Sequence, residues 1–254
     1  MANKGYALTN DNNQVLDGSG AALASPCAFS SIWYHDGEVT TTISTQEIFT
    51  KITHFVNEGE EDGNSNVVGD ATTDDDLTIG ANGAGKYELG VQASFRNASG
   101  VNKDMKIGVK ITLATPRAIA SSTDATPIVA TTSLAHGLKT GDMVTITGHA
   151  TNTALNTDCL ITKASDTTFS VQTLGGTDIA GSGGGAGSGG NVVAIYPGNI
   201  LLERSVAGSQ IGRGAALDTY SLAASDTLEA HIANTTDTNN AVFTQIALKA
   251  KRLI

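Results

Sequence analysis

The sequence predicts an all-β protein, an antiparallel β-sandwich interrupted by a second, smaller β region. Three observations predict it. Apolar residues recur at every second position in several separate segments, the spacing of strands with one buried face. Thr, Asn, Asp, Ser and Gly, the residues of strands and turns, dominate the polar composition. No stretch carries a helical period or a heptad run. The 254 residues suffice for one large or two modest domains, and a hydrophobic content of 40% allows a packed core.

The first 40 residues mix turn chemistry, DNNQ and DGSG, with one apolar cluster of Phe29, Ile32, Trp33 and Tyr34 that holds the only Trp. A polar segment with one aromatic anchor reads as an N-terminal arm that docks on another surface, with packing on its own domain as the alternative. Residues 48–56, IFTKITHFV, read as a strand, and acidic loops follow. In KYELGVQASFR, Tyr87, Leu89, Val91, Ala93 and Phe95 alternate with Glu88, Gly90, Gln92 and Ser94. Beyond the turn NASGVNKD, Met105, Ile107, Val109, Ile111 and Leu113 alternate with Lys106, Gly108, Lys110 and Thr112. Two such strands around a polar, Gly-containing loop predict an antiparallel hairpin.

The character changes near Thr115. Pro116 and Pro127 bracket a Ser/Thr/Ala stretch, and short apolar pieces follow at 143–147, 159–163, 169–174 and 191–196. GSGGGAGSGG at 181–190 holds seven glycines in ten residues, which reads as a flexible loop because glycine brings no side chain to a core. After Pro197 and Gly198 the earlier character returns in NILLERSV, TLEAHIAN and AVFTQIALKA. The expected organisation is an arm (1–40), the first part of a sandwich (41–114), an inserted small β domain with a Gly-rich loop (115–198), and the second part of the sandwich (199–254). Insertions of this kind succeed at exposed turns.

A net charge of −10 without an internal basic cluster argues against nucleic-acid binding. No apolar run approaches the ~20 residues of a membrane helix, and MANKGYALTNDNNQVLDGSG has no apolar core of a secretory signal. Cys27 and Cys159 sit in no metal-ligand spacing and read as small buried residues rather than a disulfide. GANGAGK at 80–86 fits the P-loop pattern, yet Tyr87 stands where Ser or Thr is needed and a strand follows instead of a helix. The five histidines form no metal or catalytic pattern. The carboxylates at Glu58–Asp62 and Asp70–Asp76 read as solvated loops, with Ca²⁺ at the second as the alternative. No nucleophile elbow is present, so no enzyme, catalytic residue, metal site or cofactor is expected.

Several segments resemble a known family. LTIGANGAGKYELGVQASFR, NILLERS, LAASDTLEAHIAN and AVFTQIALKAKRLI resemble the strand motifs of the tumour necrosis factor and complement globular-head jelly rolls. This resemblance covers 41–114 and 199–254. The inserted LAHGLKTGDMVTITGHATNTALNTDCLITKASDTTFSVQT resembles a small β repeat of bacteriophage tail and other virion proteins. His136, Gly137, Leu138, Thr140, Gly141, Asp142, Val144, Ile146 and Gly148 match its motif, with His136 expected at a structural turn. Thr157 after Asn156 departs from a Gly common in the repeat, as does the Gly-rich tail.

The resemblance implies a jelly roll packed as a homotrimer in a phage particle. The expected function is capsid decoration or cementing, with the major capsid protein or another virion protein as partner and the virion surface as location after assembly in the host cytoplasm. The arm with Phe29, Ile32, Trp33 and Tyr34 would anchor it. One rival is the receptor-binding tip of a fibre, recognising a host glycan or receptor, although no stalk repeat is present. A third reading is a carbohydrate-active protein on a jelly roll.

Overall fold

The computed structural model describes residues 29–59, 67–183, 186–200, 202–206 and 211–253. Cys27, most of the expected arm, the Glu60–Asp62 carboxylates and part of the Gly-rich run lie outside the described residues. The described strands in chain order are β1 (Phe29–Tyr34), β2 (Val39–Thr41), β3 (Thr50–Lys51), β4 (Asn57–Glu58), β5 (Val67–Asp70), β6 (Asp76–Ile79), β7 (Gly85–Asn97) and β8 (Lys103–Ser122). They continue as β9 (Val129–Thr132), β10 (Met143–His149), β11 (Asp158–Lys163), β12 (Thr168–Gln172), β13 (Gly189–Tyr196), β14 (Leu202–Val206), β15 (Gly212–Leu222), β16 (Thr227–Asn234) and β17 (Ala241–Arg252). The only described helices are two three-residue 3₁₀ turns, at Thr153–Leu155 and Gly198–Ile200. No described helix is long and apolar enough to cross a membrane.

Eight strands make a jelly roll. The first sheet runs β15-β7-β17-β1, and the second runs β14-β8-β16-β6. The pairings nest: β1 with β17, β6 with β16, β7 with β15, and β8 with β14, all antiparallel. That is one long hairpin, first strand to last and fourth to fifth, wrapped so that its strands fall into two sheets. The alternation anticipated in the sequence sets the inward faces. Tyr87, Leu89, Val91, Ala93 and Phe95 from β7 meet Met105, Ile107, Val109 and Ile111 from β8 across the core, all essentially inaccessible.

Here the predicted hairpin is corrected. β7 and β8 do not pair with each other but lie in opposite sheets, the loop between them crossing from one to the other. Alternation identifies the face that is buried, not the neighbour that supplies the hydrogen bonds. The predicted strand at 48–56 also shrinks. Only Thr50–Lys51 pairs, with Ile232 and His231, while Ile52 and Phe55 anchor the remainder as loop. Their spacing of three residues cannot serve one face of a strand.

Between β8 and β14, the innermost connection of the nest, the chain builds a second unit. The far half of β8 pairs with β9, and β9 leads through β12, β11, β10 and β13 back to β8. Six strands therefore close a small barrel, which leaves no free edge around its wall. Its interior holds Ile119, Ile128, Ala130, Val144, Ile146, Cys159, Ile161, Phe169, Val171 and Val192. The barrel and sandwich share β8 and β13, and one apolar core runs through both. Pro116 sits where β8 shifts register against β13, between Thr112↔Ala194 and Arg117↔Val192. A proline is tolerated in a strand at such an irregularity because no ladder N–H is required of it there.

Candidate functional site

The cluster predicted as a docking arm forms β1. Ser30, Ile32 and Tyr34 point into the sandwich, and Ile32 is fully buried. Tyr34 is 8% exposed, and its hydroxyl donates to the Asp36 carbonyl. The strand is held by pairing from Phe29↔Lys251 to Tyr34↔Ile246. The intervening Ser31 and Trp33 lie on the outer face of the first sheet. Thus Ile32 and Tyr34 pack in the chain's own core, and Trp33 alone of the three presents a ring to the outer face.

That outer face is the first candidate surface. A hollow of about 330 Å³ is lined by Ser31, Trp33, Gln92, Ser94, Gln245 and Lys249. An adjoining one of about 510 Å³ shares Ser31 and Lys249 and reaches Gly90, Leu217 and Ala250. Leu217 is 62% exposed and lies across Gly90, where a Cβ would come within 2.4 Å of its Cδ2. The face is thus built of small and amide side chains flanked by one Trp and one exposed Leu. At its margin Glu38 pairs with Arg96 at 2.8 Å, and that hydrogen bond lowers the Glu38 carboxyl below its ordinary range.

The second candidate is the junction of barrel and sandwich, where the motif LAHGLKTGD lies. Asp142 is 1% exposed. It accepts from the backbone N–H of Lys139 at 2.8 Å, closing the KTGD turn, and from that of Gly198 at 3.0 Å, where the chain re-enters the sandwich. Gly198 must lack a side chain, because a Cβ would lie 2.3 Å from the Gly141 carbonyl oxygen. Tyr220 of β15 donates to Asp142 at 3.4 Å. Burial raises the Asp142 carboxyl, and the hydrogen bonds oppose that rise. Lys139 bonds Asp218 at 2.8 Å and the Thr219 carbonyl at 3.0 Å, with its ammonium 5.5 Å from the Tyr220 ring centre.

The remaining motif residues are structural. His136 is fully buried and accepts the Leu138 N–H on Nδ1 at 3.0 Å, with its ring edge-on to Phe169. Thr140 accepts the Lys163 N–H. Leu138, Val144 and Ile146 enter the core, and Gly141 takes the left-handed φ of +91° that its turn requires. GANGAGK also resolves structurally: the Tyr87 hydroxyl donates to the Gly83 carbonyl at 2.6 Å, tying the turn to β7. Asp70 accepts the backbone N–H groups of Thr72 and Thr73, so its carboxylate closes a turn. No group of three or more His, Cys, Asp or Glu among the described residues is placed to hold a metal.

One arrangement was not legible in the sequence. Tyr196 bonds His231 Nδ1 at 3.3 Å, His231 Nε2 bonds Glu229 at 3.0 Å, and Glu229 bonds Lys51 at 2.6 Å. Burial raises the Tyr196 phenol and lowers His231, so the phenol donates to a neutral imidazole whose Nε2–H faces the carboxylate. Burial alone would raise Glu229, but hydrogen bonds from His231 and Lys51 outweigh it and hold the carboxyl at about 2. With Tyr196 3% exposed and His231 5%, the chain of bonds works as an interior bracket between β13 and β16.

No family model and no curated protein sequence matches the chain. Among solved structures it is similar to the Eiger TNF of S. frugiperda, at 10% identity and a TM-score of 0.37, over 89% of this chain and 94% of that one. The jelly-roll assignment rests on the nested strand pairing described above.

Proposed function

We propose that this chain is a structural protein of a bacteriophage particle, a capsid-decorating trimer that acts by binding and performs no chemistry. The supporting observation is the outer face of the first sheet. Small residues such as Ser31 and Ala247 let another copy approach closely, and Trp33 and Leu217 supply apolar area to bury against it. The occupant of this face is a second copy of the chain, repeated around a three-fold axis, as the family resemblance implies.

The barrel then forms the projecting part, continuous with the body through β8 and β13. Its motif resembles a virion repeat, and each motif residue described above has a fold-forming role. Trimeric presentation multiplies weak single contacts with the capsid. Immunogold labelling of phage particles from the source culture tests the assignment. Label distributed over the capsid supports decoration, label confined to a fibre tip supports host recognition, and particles without label overturn the reading.

A further inference from the structure

Beside the junction lies a pocket of about 230 Å³ lined by Lys86, Arg117, Gly137, Lys139, Thr219, Tyr220 and Ser221. Three of the chain's fifteen Lys and Arg residues meet there, in a protein whose net charge is −10. Three acids lie near them. Asp218 pairs with Lys139. Asp142 is buried and accepts two backbone N–H groups. Glu88 stands opposite Thr219 in the register, two residues from Lys86 on the same face, and lines the adjoining hollow. Neither Lys86 nor Arg117 has an ion-pair partner among the described residues.

The cations come from three separate parts of the chain. Lys86 stands at the start of β7, opposite Ser221 in the register. Arg117 comes from the shared strand β8, and one of its nitrogens donates to the His136 carbonyl, which fixes the guanidinium in place. Lys139 comes from the motif turn. The hydroxyl-bearing residues Thr219 and Ser221 complete the lining. A guanidinium held on one side presents its other donors as a fork to an oxyanion. A cationic hollow in an otherwise acidic protein concentrates anions locally.

We propose that this pocket binds a tetrahedral oxyanion, phosphate or sulfate, at the seam between barrel and sandwich. Arg117 supplies the paired contacts, Lys86 a charge without an ion-pair partner among the described residues, and Lys139 a charge already positioned by Asp218. The pocket shares no lining residue with either hollow of the assembly face, so anion binding and assembly are read on separate residues.

The test is a titration of the isotope-labelled full chain followed by NMR, with inorganic phosphate, inorganic sulfate, a sulfated oligosaccharide, and chloride at matched ionic strength. Saturable shifts confined to residues around Lys86, Gly137–Lys139 and Thr219–Ser221 are expected for the three oxyanion probes. Tighter binding of the oligosaccharide identifies a polymer-borne group, and equal binding identifies the free ion. Lys86→Gln leaves every described hydrogen bond of the protein intact and is expected to weaken binding about tenfold, the scale of one charge-assisted contact. Arg117→Gln is expected to weaken it further. Shifts that match chloride, or that Lys86→Gln leaves unchanged in strength, overturn the proposal.

Discussion

Lys139 of the barrel and Asp218 of β15 lie 2.8 Å apart, across the seam where the inserted unit meets the sandwich. Asp142, three residues beyond Lys139, fixes the same seam from inside by capping its own turn and the returning chain at Gly198. The two acids are not equivalent. The Lys139 side chain is 43% exposed, so its ion pair is screened by water.

Asp142→Ala is therefore expected to cost about 1–3 kcal/mol for each backbone donor it leaves unpaired and buried. Lys139→Met is expected to cost less than about 1 kcal/mol. Urea denaturation of both variants measures the contrast. Equal losses would show that the buried caps do not hold the junction.

Acid is expected to weaken the fold through its buried neutral histidines, His231 of the sandwich and two in the barrel. His136 and His149 are both buried, and each accepts a backbone N–H on Nδ1, from Leu138 and Asn152, so both are neutral with the proton on Nε2. Burial lowers both, and Lys163 and Arg117 lower His136 further while the backbone at Thr168 and Ser165 acts the other way. The unfolded chain binds protons near the ordinary histidine value of about 6.5. With the folded values below that, stability is retained above about pH 6.5 and lost as pH falls through it. Urea midpoints across this range should fall, and His149→Gln should flatten the slope. A midpoint independent of pH would count against neutral buried imidazoles.

Cys159 is fully buried in the barrel, and burial, helped by the charge of Asp158, pushes its thiol up to about 12. In a Cys27→Ser background the native protein should not react with a thiol reagent in mildly alkaline buffer, and should react fully in urea. Rapid native labelling would mean that the barrel opens locally.

Leu217→Glu tests the assembly face. Leu217 is 62% exposed, so the substitution should leave the fold intact while placing three charges around the proposed axis. The expected outcome is an unchanged circular dichroism spectrum with a reduced solution mass. Trp33, the only Trp, should report the same change in its fluorescence.

The buried faces were legible in the sequence, and the partners were not. Alternation at 87–95, 105–113 and 228–232 marks inward residues correctly because period two is a local property of the backbone. Which strand lies alongside is decided by the nesting of the whole chain, so β7 and β8 read as a hairpin though they face each other across the core. β15, an eleven-residue strand, carries no alternation in its sequence because GRGAALDTYSL buries only Gly212, Tyr220 and Leu222 and leaves Leu217 outside. β1 read as an arm because its polar upstream neighbours hid a strand whose partner lies at the far end of the sequence. Closure of the barrel by β13 on β8 likewise depends on a pairing across 73 to 84 residues. The anion-lining residues Lys86, Arg117 and Lys139 carry no local signal, since only the fold brings them together.

The trimer carries the functional account, and sedimentation velocity of the full chain measures it most directly. At micromolar concentration the account predicts one species of three times the 25.9 kDa chain mass, reduced by Leu217→Glu. A stable monomer at that concentration would contradict it.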